Sequence, residues 1–61
     1  MRWRYRNDAD TEVGWSQDFE DQGGAEQWLG DSWRDLLDEG ITTVELMDGD
    51  ELVYRMGLTP D

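Results

Sequence analysis

The sequence contains no cysteine, no histidine and no lysine, and a single proline. Without cysteine there is no disulfide to staple a small fold and no thiolate metal site. Without histidine, the commonest acid/base near neutral pH and the commonest metal ligand are both missing. Ser16, Ser32 and the threonines therefore have neither histidine nor lysine to activate them as nucleophiles. Gly23-Gly24 alone does not make a phosphate-cradling loop. Long apolar runs are missing as well. Nothing approaches the ~20 residues of a membrane span, and Met1-Arg2-Trp3-Arg4 lacks the apolar segment of a signal peptide. The expectation is a cytoplasmic protein that is not an enzyme, with no cofactor and no small-molecule substrate.

Positive charge is scarce. Five Arg stand against sixteen Asp and Glu, for a net charge of -11. A field of that sign disfavours DNA, RNA and anionic membranes as partners and leaves a basic protein, or self-association, open. Arg without Lys, and ten Asp against six Glu, fit a GC-rich coding sequence or adaptation to high salt.

Sixty-one residues allow a single domain, 1–61, that buries only about 60% of its unfolded surface. Trp3, Tyr5, Trp15, Phe19, Trp28, Trp33 and Tyr54 supply most of the available core, at roughly 150–250 Å² each.

Residues 2–6 and 12–18 alternate with period 2 and read as strands. Parity opposes Trp3 to Trp15 and Tyr5 to Val13, around a loop Asp8-Ala9-Asp10. From 22 to 39 the period turns helical, with Ala25, Leu29, Ser32, Trp33 and Leu36 in one stripe, Asp21 as N-cap and Gly40 just past the end. Residues 41–47 and 51–58 form a second hairpin. Parity there favours a three-residue loop Asp48-Gly49-Asp50, opposing Leu46 to Leu52 and Val44 to Tyr54. The predicted fold is α+β, ββαββ: a four-stranded antiparallel sheet with the helix on one face. A right-handed crossover gives strand order 2-1-3-4. The predicted core is Trp3, Tyr5, Val13, Trp15, Leu29, Trp33, Leu36, Val44, Leu46, Leu52, Tyr54 and Met56.

Three features could carry chemistry. The acidic turns at 8–12 and 48–51 resemble calcium loops in spacing, but lack the glycine and terminal glutamate of an EF-hand, and Asp is also a turn former in its own right. Arg2, Arg4, Arg6 and Arg55 fall on the sheet face away from the helix, as a lattice of cross-strand Arg–Glu pairs or as a docking face for an acidic surface. In that register the face carries no aromatic residue on which a base could stack. Trp28 lies at the edge of the helical stripe, where it either anchors an interface or seals the rim of the core. Arg2, Arg4, Arg6, Arg55 and Trp28 are thus the candidate interaction face, and no catalytic, cofactor-binding or metal-binding residues are assigned.

The strings WRYRN, TEVGWSQDF, AEQWLGDSW, LLDEGITTVEL and VYRMGL together resemble short uncharacterised acidic proteins of high-GC actinobacteria. The resemblance brings no activity, ligand or site with it, and agrees with a cytoplasmic setting. The expected function is a non-catalytic protein-interaction module, an adaptor or regulator. The alternative is an acidic DNA mimic that occupies a nucleic-acid-binding protein, and an enzyme is the remote third.

Overall fold

A computed structural model describes residues 1–58. Its elements are β1 (Arg2–Arg6), β2 (Glu12–Trp15), α1 (Gln22–Asp38), β3 (Thr43–Asp48) and β4 (Glu51–Gly57). The four strands form one antiparallel sheet in the order β2-β1-β3-β4, and the helix follows β2. This is the expected ββαββ fold with the expected strand order. β2 and β3 are shorter at their outer ends than the alternation implied. Gln17 and Asp18 lie beyond β2, and Ile41 lies in the approach to β3.

The helix is held by its ends and by one face. Asp21 caps it, its Oδ1 accepting from Gly24 N at 2.7 Å. At the other end Gly40 adopts φ +90, a conformation in which a side chain is strained. Ile41 N then donates to Leu36 O at 3.0 Å and Gly40 N to Leu37 O at 2.9 Å. That is the paired bonding of a Schellman motif, and its usual apolar contact is present in the buried pair Leu36 and Ile41. Asp35, Asp38 and Glu39 oppose the helix dipole, with no basic residue in the last turn. Burial of Ala25, Leu29 and Leu36 against the sheet must therefore outweigh poor end electrostatics.

The core comprises Trp3, Ala25, Leu29, Leu36, Ile41, Val44, Leu46 and Leu58, with Tyr5, Phe19, Trp28, Trp33, Leu37 and Tyr54 packed around it. Trp3 is fully buried and its indole Nε1 donates to Ala25 O at 3.0 Å, tying β1 to the helix. At about 25 cal/mol per Å², a side chain of that size contributes roughly 4–6 kcal/mol of transfer free energy. Tyr54 meets its ring edge-on, with centroids 5.7 Å apart.

The registers differ from the expected ones, and for one physical reason. Each hairpin carries a one-residue slip. In the first, Asn7 N donates to Thr11 O, closing the expected loop Asp8-Ala9-Asp10. Arg6 opposes Glu12, but Tyr5 opposes Gly14 and Arg4 opposes Trp15, leaving Val13 as the extra residue. Trp15 therefore points away from the helix, not into the core. In the second hairpin, Asp48 opposes Glu51, so the loop is two residues, Gly49-Asp50, and not three. Gly49 alone has positive φ there (+63), as a type II′ turn requires at its first central position. A slip at Val53 then restores the inward phase, so that Leu46 opposes Tyr54 and Val44 opposes Met56. Leu52 opposes Met47 on the outer face. Of the predicted core, Trp15, Val13 (51% exposed), Leu52 (48%) and Met56 (37%) do not belong to it, whereas Ile41 and Leu58 do.

Candidate functional site

The register places a row of side chains across the outer sheet face: Trp15, Arg4, Glu45 and Arg55, one from each strand. Glu45 is the centre of this row and the one buried charged residue among those described. Arg4 Nε donates to its Oε1 at 2.9 Å, and Arg6 Nε donates to the same oxygen. Burial pushes the Glu45 carboxyl up, but the hydrogen bonds and charges of Arg4 and Arg6 outweigh it and hold the pKa below the ordinary value. The bond to Glu45, ahead of an opposing desolvation effect, raises Arg6 above the ordinary arginine range.

The loop between β1 and β2 closes the network. Asn7 Oδ1 accepts from Ala9 N and Thr11 N, and Asp10 sits at φ +61. That turn delivers Asp10 Oδ1 to Arg55 Nη2 at 2.8 Å and Asp10 O to Arg6 Nη1 at 2.8 Å. One of the carboxylates with calcium-loop spacing is thus occupied by arginine. Among the described residues, no three Asp or Glu gather into a metal-binding group.

The structure brings Arg2, Arg4, Arg6 and Arg55 onto one face and leaves Trp28 elsewhere. Trp28 packs on Phe19, with ring centroids 5.5 Å apart, at the rim of the core. Arg2 lies over the Trp15 ring at 4.1 Å, and Arg4 is 5.7 Å from its centroid. The expectation of no aromatic on this face is overturned by the slip at Val13. Trp15 stands there, but the guanidinium of Arg2 covers its ring and leaves that side closed to a stacking base.

Sequence reasoning missed a second surface. β4 is an edge of the sheet, and an apolar groove of about 460 Å³ runs between it and the helix. Leu29, Trp33, Met56 and Leu58 line it, with Glu26, Gly30 and Gly57. Glu26 Oε1 accepts from Tyr54 Oη at 3.0 Å. Burial first, then the bond and charge of Glu26, push the Tyr54 phenol up to about 12. Burial and the charge of Glu39 raise Tyr5 as well. A signal for the groove exists in the sequence: Gly30 interrupts the helix where no turn is needed.

No family model matches this sequence, and no curated protein or solved structure matches it either.

Proposed function

We propose that the protein is a non-catalytic interaction module of the cytoplasm whose partner is a basic protein. The observation behind this reading is the segregation of charge. Arg4, Arg6 and Arg55 are engaged with Glu45 and Asp10 on the outer sheet face, and Arg2 is stacked on Trp15. Asp31, Asp35 and Asp38 lie exposed on the helix and enter no ion pair among the described residues. The net charge of -11 is therefore carried largely by the helix and loops, where Arg34 is the one arginine on the helix and most of the carboxylates are left for a cation from outside. The arginine face, internally compensated, is the weaker docking surface.

The second reading, mimicry of DNA, draws on the same exposed helix line. Affinity capture from the native host at low and high salt tests both. A captured protein, once purified, is to bind in calorimetry with a salt-sensitive affinity that falls when Asp31, Asp35 and Asp38 are changed together to Asn. Competition by duplex DNA for that protein selects mimicry. Binding unchanged by the triple substitution removes the acidic helix from the function.

A further inference from the structure

We propose that the β4 edge and the groove beside it accept an extended, basic segment of a partner protein as a fifth strand, which deepens the basic-partner reading above and rests on it. Three observations converge on this place. The first is the edge itself. Three of the four large apolar side chains left exposed, Leu52, Val53 and Met56, lie on β4. The opposite edge, β2, has four residues, is slipped at Val13 and exposes only that one. Exposed apolar residues on a seven-residue edge strand are a hazard unless something pairs there, and strand addition is a common way of using such an edge.

The second observation is Gly30. It lies in the helix interior, where glycine costs about 1 kcal/mol relative to alanine. A Cβ placed on it would meet nothing within 4 Å, and the same holds for Gly57 across the groove. Packing therefore does not require either glycine. Both line the groove, and a side chain at Gly30 would narrow it, whereas one at Gly57, which pairs with Thr43 on the face of Arg55, would project to the outer face.

The third is the chemistry of the walls. Trp33, Leu29 and Met56 offer apolar contact, and Glu26 places a carboxylate in the lining. A lysine or arginine side chain suits that combination, its methylene stem along the apolar wall and its charged head at Glu26. Alternate residues of the same strand would then lie on the outer face beside the stem of Arg55, where apolar side chains avoid setting a second cation against it. A second copy of this chain fits poorly. The slip at Val53 limits regular pairing to Tyr54–Gly57, a two-fold pairing centred on Arg55 would oppose it to its own copy, and any such dimer joins two chains of -11.

The test uses a capped peptide, Val-Lys-Val-Lys-Val-Lys-Val, and a control with both inner valines replaced by proline, which keeps the charge but cannot pair as a strand. NMR is expected to show amide shifts and slowed hydrogen exchange along Tyr54–Gly57, with a shift of the Trp33 indole. The proline control should bind about tenfold more weakly, the effect of one or two lost backbone hydrogen bonds. Gly30→Leu should raise the Tm and yet weaken the peptide about tenfold, a combination that damage to the fold cannot produce. Glu26→Gln, which keeps an acceptor for Tyr54, should weaken it up to about fivefold, and Asp38→Asn should not. Equal binding of the two peptides, with shifts along Asp31, Asp35 and Asp38, would overturn the edge site and leave the acidic-helix reading standing. An unchanged affinity in Gly30→Leu, no binding of either peptide, or a dimer with β4 amides already protected would overturn it equally.

Discussion

Replacing Glu45 by Gln removes one charge and almost no volume, so its effect reports the arginine network and not packing. The Glu45 side chain is 5% exposed, whereas Arg4 and Arg6 keep 22% and 21%. Removing one partner of a fully buried pair destabilises by about 3–5 kcal/mol. Partial hydration of both guanidiniums lowers this to about 2–3 kcal/mol, within the range for hydrogen bonds to charged groups. A chain of 61 residues has roughly 3–9 kcal/mol of stability in all, so the loss is a large fraction of it. At about 4–8 °C per kcal/mol for a domain of this size, the Tm should fall by roughly 10–20 °C at pH 7.

The pH dependence supplies an independent check. Glu45 is held below its ordinary pKa of 4.5 by Arg4 and Arg6, in spite of burial. A depressed carboxylate contributes stability that is complete above the unfolded pKa and is lost as pH falls through the folded one. The gap between wild type and Glu45→Gln should therefore be constant above about pH 5 and close steadily below 4.5. Circular dichroism melts from pH 7 down to 3 measure both quantities. A fall of less than about 3 °C at pH 7, or a gap as wide at pH 3 as at pH 7, would refute the argument that a buried carboxylate organises this face. Arg55→Met is the comparison. Its pair with Asp10 is half exposed, and its removal should change stability by no more than about 1 kcal/mol.

Tyr54, raised to about 12, stabilises the fold below its unfolded pKa near 10, and that contribution should disappear between about 10 and 12. Absorbance titration of phenolate should show late ionisation of both tyrosines, and Tyr54→Phe should remove the later of the two steps. Raising NaCl from near zero to 1 M should raise the Tm, because exposed Asp31, Asp35 and Asp38 outnumber Arg34 among them and leave a net repulsion that salt screens, while the buried Glu45 pairs are screened less. A Tm that falls steadily with salt would show that attraction on the sheet dominates. Millimolar Ca²⁺ should leave the Tm where matched ionic strength puts it, since Asp10 is already bound by Arg55. A saturable rise with Ca²⁺ alone would reveal a site in the acidic turns.

Strand and helix positions were legible because each face of each element has one consistent neighbour. Trp3, Leu29, Val44 and Leu46 alternate or recur as burial on one side demands, and strand order followed from the handedness of the crossover. Register was legible only up to the first irregularity. Parity arguments assume an unbroken ladder, and one extra residue reverses every side chain beyond it. Both slips left traces. Gly14 within a strand, beside Val13, is a common mark of a bulge. Leu52-Val53-Tyr54 is a run of three apolar residues that cannot all share one face of a regular strand. The candidate arginines were found because alternation alone puts them opposite the core. The groove was not found, because it depends on how far the helix sits from β4, a distance that no periodicity encodes.

The two slips also bear on why so acidic a chain can fold. Without the slip at Val13, Trp15 would lie under the helix, and Arg2 would lose the ring it now covers at 4.1 Å. Without the slip at Val53, Tyr54 would face outward, away from Trp3 and Glu26, and Arg55 would turn inward to be buried under the helix without Asp10. The slip at Val53 keeps Arg55 on the outer face beside Asp10 and sends Tyr54 to the core, and the slip at Val13 sends Trp15 beneath Arg2. The helix is then held by Trp3 and the apolar stripe, and its own charge need not be compensated within the fold. Attraction stabilises the sheet while repulsion remains on the helix, and that separation leaves the acidic surface available to a partner.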